Sequence, residues 1–246
     1  MIDLHCHILP GIDDGPLYPG QSVAMARQAE ADGIERVCAT PHIRHDHDVR
    51  IEELAARVAA LNGDLEREGC ATRVLPGGEL AESQTAALTG AELDAVTLGG
   101  GGRWLLLEPG PGPLGGSLLT VVDRLAARGF RSVVAHPERH LGPEYVEILE
   151  SLCRRGALIQ LTADLFLREE TAGTMAELAE RRFCHVLASD SHSPEHGRPP
   201  RLSEGLARLG AIPAVAPYAG WIAHDAPAAI VRGENVVPPW EGSEGH

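Results

Sequence analysis

Residues 1–16 read MIDLHCHILPGIDDGP, a stretch in which histidines lie on both sides of a cysteine and two aspartates follow. Side chains two positions apart on a strand point to the same face, so His5 and His7 would present both imidazoles to one side. Imidazole and carboxylate groups are common ligands of divalent metal ions, and Asp14 adds a carboxylate nearby. The stretch therefore predicts a first strand whose carboxyl end begins a metal site.

The rest of the chain repeats a pattern in which a helix ends at glycine and an apolar strand follows after a short turn. The pattern appears in QAEADGIERVCAT (28–40), RLAARGFRSVVAH (124–136) and SLCRRGALIQLTA (151–163). Glycine just after a helix, followed by an apolar run, is typical of helix-to-strand junctions in parallel α/β proteins.

The repeated pattern predicts seven strands, several of them continuous apolar runs of the kind that is covered on both faces. The predicted strands are Ile2–Leu4, Arg36–Ala39, Arg73–Leu75, Trp104–Leu107, Ser132–Ala135, Ala157–Leu161 and Val186–Ala188. Seven strands alternating with helices predict an α/β fold of the TIM-barrel type, a (βα)7 barrel with one unit fewer than the usual eight. We expect a single domain over residues 1–238 and a C-terminal tail over residues 239–246.

Potential metal ligands follow six of the seven predicted strands, and only the sixth, which leads into QLTAD, offers none that is obvious. In a barrel the carboxyl ends of all strands lie at one face, so residues that are distant in sequence would meet there. The candidate ligands are His5, His7, Asp14, His42, Glu79, Glu108, His136, Asp190 and His192. This mixed set suits zinc, manganese or iron, and its size suits two or three ions at three or four ligands each.

The charge of the chain limits its possible partners. The net charge is −14 with histidine neutral, all 21 basic residues are arginine, and aromatic residues make up only 4%. A basic surface and aromatic stacking platforms are therefore missing, and we expect no nucleic-acid partner. A polyanionic substrate would be repelled at long range, so binding it would require local positive charge such as bound divalent cations.

The start of the chain and its cysteines favour a cytoplasmic location. Met1 leads directly into IDLH without the basic and apolar segments of a signal peptide, and no apolar run reaches the roughly 18 residues of a transmembrane helix. The 5 cysteines are irregularly spaced and do not form a disulfide framework. We expect a cytoplasmic protein without membrane insertion, and the sequence leaves its oligomeric state open.

The segment around the second strand permits one alternative chemistry. CATPHIR places Cys38 six residues before Arg44, which is the spacing of a cysteine-dependent phosphatase loop. Such a loop needs backbone N–H groups around the phosphate, whereas Pro41 has none and the segment has no glycine. The sequence therefore disfavours a cysteine nucleophile. The following RHDHD, residues 44–48, is interpreted as a solvated loop, with substrate contact as the less favoured alternative.

The order HxH, D, H, E, H, DxH resembles the polymerase and histidinol phosphatase (PHP) superfamily. Together with TPH, LLLE, AHPER and SDSH, the opening is more narrowly similar to the manganese-dependent tyrosine-protein phosphatases of bacterial capsule and exopolysaccharide gene clusters. The resemblance covers residues 1 to about 205 and implies a distorted seven-stranded barrel with three divalent metal ions. Manganese is the expected metal, with iron or zinc as alternatives, and the expected substrate is a phosphotyrosine protein, most simply a bacterial tyrosine kinase.

The resemblance also implies a role for each candidate residue. The first ion would be held by His5, His7, Glu108 and Asp190; the second by Glu79, Glu108 and His136; the third by Asp14, His42 and His192. Glu108 would then bridge two ions. Arg139 and Arg198 align with arginines that bind the phosphate group in such enzymes.

The expected reaction is hydrolysis of a phosphate monoester by water that metal ions activate, with arginines neutralising charge on the phosphate oxygens. Tyrosine leaves as a phenolate with a pKa of roughly 10, which needs less help from a general acid than an alkoxide does. Two alternatives stay open. The first is a histidinol-phosphate phosphatase on the same fold, although that branch tends to carry histidine at the position of Asp14. The second is a non-catalytic metal-binding regulatory module, and a nuclease is disfavoured by the acidic charge.

Overall fold

A computed structural model describes residues 1–241 of the protein, and within that range the chain folds into parallel strands alternating with helices. The strands are β1 Ile2–Cys6, β2 Arg36–Ala39, β3 His42–Ile43, β4 Arg73–Leu75, β5 Glu79–Ala81, β6 Trp104–Glu108, β7 Arg131–Val134, β8 Leu158–Thr162 and β9 Val186–Ala188. The α-helices are α1 Pro19–Ala31, α2 Leu54–Arg67, α3 Gly90–Ala95, α4 Gly116–Ala127, α5 Tyr145–Arg154, α6 Glu169–Glu180, α7 Ser203–Gly210 and α8 Ala226–Val231. The α/β class predicted from the sequence is confirmed.

The strands form two parallel sheets, one of order β1-β2-β4 and one of order β3-β5-β6-β7-β8-β9. The two sheets meet where β1 lies beside the end of β9. There the backbone N–H of Asp190 donates to the carbonyl of His5 at 2.9 Å, and that of His7 donates to the carbonyl of Ser191 at 2.8 Å. These bonds bring the ends of the first and last strands together.

The strand count differs from the prediction because two further short strands, β3 and β5, follow the second and third predicted strands. Pro41 separates β2 from β3, and Pro76 with two glycines separates β4 from β5. Proline cannot donate to the strand ladder, so pairing stops at these points and resumes after gaps of two and three residues. The seven predicted strands are all present, but residues 1–241 form nine strands in two sheets, so the distorted seven-stranded barrel itself is not confirmed.

The helices cover the outside of the sheets through apolar stripes. In α2 the buried residues Leu54, Val58, Leu61 and Leu65 recur every three or four positions, as the sequence pattern predicts. On the opposite face of the strands lies a smaller apolar cluster that includes Trp104, the largest fully buried side chain. This inner cluster forms the floor below the polar ends of the strands.

The described part of the C-terminal segment packs against the body of the domain. Trp240 lies in the predicted tail, yet it is 5% exposed, and its ring lies 5.1 Å from Tyr218 and 5.3 Å from each of His185 and Trp221, centroid to centroid. Residues 242–246 of the predicted tail lie outside the described residues. None of the helices within residues 1–241 has the length and apolar character needed to cross a bilayer.

Candidate metal centre

All nine candidate ligands converge at the carboxyl ends of the strands. They form four overlapping groups, and within each group the potential ligand atoms lie within 4.8 Å of one another. The groups are His5, His7 and Glu79; His5, His136 and Asp190; His42, Glu79 and Glu108; and His7, Asp14, His42 and His192. Because neighbouring groups share members, the site is one continuous cluster of imidazole and carboxylate groups.

The two histidines of β1 have their ring nitrogens fixed by hydrogen bonds. Nδ1 of His5 lies 2.9 Å from Oε1 of Gln160, and Nδ1 of His7 lies 2.8 Å from Oδ2 of Asp13. Both partners are acceptors, so each Nδ1 carries the hydrogen of the neutral imidazole and donates it. Each Nε2 is then left with a lone pair directed into the cluster.

The resulting arrangement fits a bound cation. Nε2 of His5 and Nε2 of His7 lie only 3.2 Å apart, and Nε2 of His5 also lies 3.3 Å from Oδ1 of Asp190. Lone pairs this close repel one another unless a proton or a metal ion lies between them. Among the described residues, the buried Nδ1 of His136 has no hydrogen-bond partner, and Nδ1 of His42 and Oε2 of Glu79 lie 2.9 Å apart without the alignment of a hydrogen bond. A mixed set of imidazole nitrogen and carboxylate oxygen donors suits manganese, iron or zinc.

Glu79 occupies the centre of the cluster. Its carboxylate oxygens lie 2.8 Å from Nε2 of His136, 2.9 Å from Nδ1 of His42, and 3.4 and 3.3 Å from Nε2 of His5 and His7. The register of the sheet explains this placement, because Glu79 at the start of β5 is paired directly with His42 at the start of β3. Gly78 precedes it at a point where a Cβ would lie only 3.0 Å from Ile43 and Val96.

The buried charges of the cluster shift each other's pKa values. Burial alone would raise the pKa of Glu79, but the surrounding imidazoles, led by His5, hold it well below its usual range. Burial would lower the pKa of His7, but hydrogen bonds to Asp13 and Glu79 outweigh it and raise this pKa to about 10. Without a cation the cluster therefore retains protons on imidazoles, and binding a metal would release them.

Asp190 and the two candidate phosphate-binding arginines form one corner of the site. Asp190 follows β9 in a left-handed conformation, with φ of 49°, which turns its carboxylate into the cluster. Nη2 of Arg198 donates to Oδ2 of Asp190 at 2.9 Å, and Arg139 donates to the same oxygen. Burial tends to raise the pKa of Asp190, but the charges of His5, His136 and Arg139 lower it.

The residues assigned to the third ion lie at the open side of the cluster. Oδ1 of Asp14 lies 3.3 Å from Nε2 of His192 and 3.5 Å from Nε2 of His42. The side chain of Asp14 is 56% exposed, whereas Asp190 is almost fully buried. The hydrogen bond from His192 lowers the pKa of Asp14, so this carboxylate is ionised at neutral pH.

Glu108 lies further from the imidazoles than its implied bridging role suggests. Its Oε2 is 3.9 Å from Nδ1 of His42, while its Oε1 is 3.3 Å from Nη1 of Arg44. Glu79 instead contacts the histidines of three different strands or strand ends. The geometry thus favours Glu79 over Glu108 as the carboxylate that is shared between ions.

Three polar residues that support the cluster are missing from the candidates chosen by sequence. Gln160 lies on the sixth predicted strand, which offers no candidate ligand. Its side-chain oxygen accepts from Nδ1 of His5 and so orients that imidazole. Asp13 orients His7 and also accepts from the backbone N–H of Gly15 and of His42. Asp3 accepts from the hydroxyl of Ser189 at 2.5 Å and ties β1 to the end of β9. A polar residue on the inner face of an apolar strand is the signal that could have found Gln160 and Asp3.

A cavity of about 390 Å³ opens above the cluster. Its lining includes Arg44, Arg139 and Arg198 beside the exposed ligands Asp14 and His192. A phosphate group in this cavity would have potential metal ligands below it and guanidinium groups around it. Cys38 is disfavoured as a nucleophile, because it is fully buried, burial raises the pKa of its thiol to about 12, and it does not line the cavity.

Comparison with known proteins gives a consistent result. The family model described as capsular polysaccharide synthesis, CpsB/CapC, matches residues 1–232. The tyrosine-protein phosphatase YwqE of Bacillus subtilis (strain 168) is 34% identical over 201 residues, covering 78% of each chain. A putative tyrosine-protein phosphatase, CapC of Staphylococcus aureus, is 25% identical over 200 residues, covering 78% of this chain and 77% of its own.

Solved structures show a similar likeness. A structure reported with YwqE from Bacillus subtilis and CpsB from Streptococcus pneumoniae as unique metal-dependent tyrosine phosphatases superposes with a TM-score of 0.82 at 26% identity, covering 96% of both chains. A beta-aspartyl dipeptidase from Fervidobacterium islandicum AW-1 superposes with a TM-score of 0.54 at 16% identity, covering 96% of this chain and 76% of its own. The second likeness concerns the fold alone.

Proposed function

This chain belongs to the CpsB/CapC family of capsular polysaccharide synthesis, and from that premise we propose that it is a metal-dependent phosphatase that hydrolyses phosphotyrosine in a protein substrate. The observation that carries the proposal is the cluster itself: nine imidazole and carboxylate side chains lie together, and six of them line a cavity that three arginines also line. Relatives that are named tyrosine-protein phosphatases, one of them in a structure described as metal-dependent, support the same activity.

We assign three divalent ions to the cluster, with manganese as the first choice and iron or zinc as alternatives. His5, His7, Glu79, His136 and Asp190 would hold two ions in the buried part, and Glu108 would complete the ligands on the side of His42. Asp14, His42 and His192 would hold the third at the open side. When bound, such ions lower the pKa of water to near neutrality and offset the charge of the phosphate.

The remaining steps belong to the chain's own side chains. Arg139 and Arg198 bind the phosphate oxygens, because a planar guanidinium can donate two parallel hydrogen bonds to a phosphate. Asp190, which both arginines contact, holds them at the edge of the cluster. Gln160 and Asp13 keep Nε2 of His5 and of His7 free of hydrogen, so that both nitrogens can bind metal.

We further propose that the two sheets represent the distorted seven-stranded PHP barrel, with β2 and β3 as one interrupted strand and β4 and β5 as another. The pairing of Cys6 with Ser191 beside the end of β9 supports this description. In this description residues 1–238 are one catalytic domain. The proposed setting is the bacterial cytoplasm, and the proposed substrate is a tyrosine kinase that controls capsule or exopolysaccharide synthesis.

The principal competitor is a histidinol-phosphate phosphatase on the same fold. Asp14 argues against it, because the resemblance to that branch predicts histidine at this position, whereas Asp14 here lies among His42 and His192. A purely structural metal site is also disfavoured, since the cavity leaves the ligands Asp14 and His192 accessible to water and substrate.

A comparison of initial rates tests the proposal. Manganese-loaded protein is assayed on a phosphotyrosine peptide and on histidinol phosphate under the same conditions. We expect faster hydrolysis of the peptide, and an Arg139→Gln variant that keeps its metal but loses most of its turnover. Faster hydrolysis of histidinol phosphate would favour the competitor, and no hydrolysis of any aryl phosphate by metal-loaded protein would favour a non-catalytic role.

A further inference from the structure

The loop after β3 brings a third arginine to the cavity. Arg44 lines the same cavity of about 390 Å³ as Arg139 and Arg198. The sequence interpretation placed it in a solvated polar loop, but its side chain is only 29% exposed. A partly buried arginine at the mouth of a site for an anionic substrate requires an explanation of its own.

Neighbouring side chains fix the orientation of the Arg44 guanidinium. Its Nε donates to Oδ1 of Asp46 at 2.7 Å, and its Nη2 lies 3.3 Å from Nε2 of His47. Its Nη1 faces the carboxylate of Glu108, at 3.3 Å from Oε1 and 3.4 Å from Oε2. The side chain is therefore held on three sides, which reduces the entropy lost when it binds a further group.

Arg44 approaches the site from a different side than the other two arginines. It follows β3, whereas Arg139 follows β7 and Arg198 follows β9. Arg139 and Arg198 both contact Asp190, whereas Arg44 contacts Glu108. A phosphate group between Glu108 and Asp190 would thus have guanidinium groups on two sides.

The charge near Glu108 indicates what Arg44 binds when metal is present. Glu108 belongs to a candidate ligand group with His42 and Glu79, so its oxygens are shared with a cation once that group is filled. Arg44 would then lie beside a divalent ion, with Glu108 largely neutralised and the half-exposed Asp46 as its remaining carboxylate partner. Like charges at this range are unfavourable unless an anion lies between them, and a phosphate dianion supplies that anion.

We propose that Arg44 is a third substrate-binding arginine, which contacts the phosphate group from the Glu108 side of the cavity while Arg139 and Arg198 contact it from the Asp190 side. The inference rests on the proposed phosphatase function. If Arg44 only oriented Glu108, its loss would lower the metal content of the protein. As a phosphate ligand, Arg44 instead affects the affinity for phosphate and leaves the metal content unchanged.

The test measures binding of inorganic phosphate to the full chain by isothermal titration calorimetry. The protein is loaded with manganese, excess metal is removed, and the metal content of every sample is determined first. The variants are Arg44→Gln, which removes the charge, and Arg44→Lys, which keeps the charge without the planar fork. Arg50→Gln is the matched control, because Arg50 lies on the same segment, is 62% exposed and, among the residues that the structure describes, pairs with Glu52 and Glu53.

We expect unchanged metal content in all samples and a dissociation constant for phosphate that rises about tenfold in Arg44→Gln, as for the loss of one charged hydrogen bond, and less in Arg44→Lys. KM for a phosphotyrosine peptide should rise in parallel, while Arg50→Gln matches the wild type. Unchanged phosphate affinity in Arg44→Gln would overturn the proposal. So would a loss of metal whose replacement restores wild-type affinity, since Arg44 would then act only through Glu108.

The phosphate titration separates this inference from the proposed function. In one outcome, Arg44→Gln weakens phosphate binding but the wild-type protein does not hydrolyse phosphotyrosine. This result refutes the function and supports Arg44 as a phosphate ligand. Protein that hydrolyses phosphotyrosine with the same KM and phosphate affinity in Arg44→Gln refutes Arg44 alone.

Discussion

His5 and His7 illustrate how single side chains determine the chemistry of the site through both of their ring nitrogens. Gln160 and Asp13 take the hydrogens of the two Nδ1 atoms, and the two Nε2 atoms face each other at 3.2 Å. The site is thus prepared for a cation by residues that do not themselves contact it.

Glu79 provides the sharpest test of the cluster at the scale of one residue. Because its carboxylate belongs to two of the ligand groups, Glu79→Gln should remove metal from both and abolish most activity. Metal per chain is measured by elemental analysis after gel filtration. Glu82→Gln is the control, since Glu82 lies three residues along the chain and its side chain accepts from the backbone of Gly110 instead. Full metal content in Glu79→Gln would contradict the central place of Glu79.

Gln160 allows a separate test of imidazole orientation. Gln160→Leu should weaken metal binding by about 10- to 100-fold, which is typical when the partner of a metal-binding histidine is lost. Gln160→Glu keeps an oxygen acceptor for Nδ1 of His5 and should retain most of the affinity. Competition with a chelating dye measures both variants. Equal affinities in Gln160→Leu and the wild type would show that His5 does not depend on this bond.

Which side chains converge could be predicted from the sequence, whereas how they pair with one another could not. His42 and Glu108 can be identified as candidates because their residue type and their position near the end of a predicted strand can both be read from the sequence. The pairing of His42 with Glu79 depends on sheet register, which no local pattern contains. Arg44 was interpreted as solvated for the same reason, since its partner Glu108 is 64 residues away in sequence.

At the scale of secondary-structure elements, the interrupted strands place the ligands. His42 and Glu79 each begin a short strand that follows β2 or β4 after a break at proline, so both lie beyond the carboxyl ends of β2 and β4. The positions of the strands were predictable, because the sequence shows helices that end at glycine and are followed by apolar runs. The breaks and the division into two sheets were not, because Pro41 and Pro76 read equally well as the ends of strands.

The loop between β9 and α7 carries Arg198 and is fastened to α1 at both ends. Nε2 of Gln28 donates to the carbonyl of Pro194 at 2.8 Å, and Oδ2 of Asp32 accepts from the backbone N–H groups of Leu202 and Ser203 at 2.6 and 3.0 Å. Asp32 thereby caps α7 from outside the helix. This attachment fixes the ends of the segment that presents Arg198 to the cavity.

Asp32→Ala should loosen that segment. We expect a loss of about 1 kcal/mol of folding free energy, as for removal of a helix cap, together with a higher KM and unchanged metal content. Asp32→Asn keeps an acceptor oxygen and should behave almost like the wild type. Denaturant unfolding and steady-state kinetics measure these effects. A normal KM in Asp32→Ala would mean that Arg198 is positioned without this attachment.

At the scale of the whole molecule, the arginines are distributed to serve the site within an acidic protein. The net charge is −14, yet three arginines line the cavity above the cluster. Because Asp14, Glu108 and Asp190 line the same cavity, bound cations are needed together with the arginines to offset the unfavourable long-range field for a phosphate substrate. Salt should therefore influence substrate association less than it would for a uniformly basic binding surface.

A buried histidine far from the cluster links the stability of the fold to pH. His185 is fully buried, burial lowers its pKa to about 3, and its Nδ1 accepts from the backbone N–H of Ile159. The unfolded chain binds a proton at this residue below a pKa of about 6.5, while the folded chain does not. Stability should therefore fall as the pH drops from about 6.5 towards 3, by up to about 1.4 kcal/mol per pH unit.

His185→Asn should flatten this pH dependence, because asparagine can accept the same hydrogen bond without titrating. Urea unfolding of the metal-free proteins at pH 7.5 and pH 5 should show that the wild type loses about 2 kcal/mol more than the variant between the two conditions. His224→Asn, at an exposed position, is the control and should follow the wild type. Equal pH dependence in His185→Asn and the wild type would contradict the account of His185.

The measurement that tests the central claim most directly is metal content and phosphotyrosine hydrolysis on one purified sample. Both are determined before chelation, after exhaustive chelation, and after adding back manganese, iron or zinc one at a time. We predict that chelation removes metal and activity together and that activity returns as manganese rises towards three ions per chain. Full activity in chelated protein with no bound metal would contradict the claim that these imidazoles and carboxylates act through metal ions.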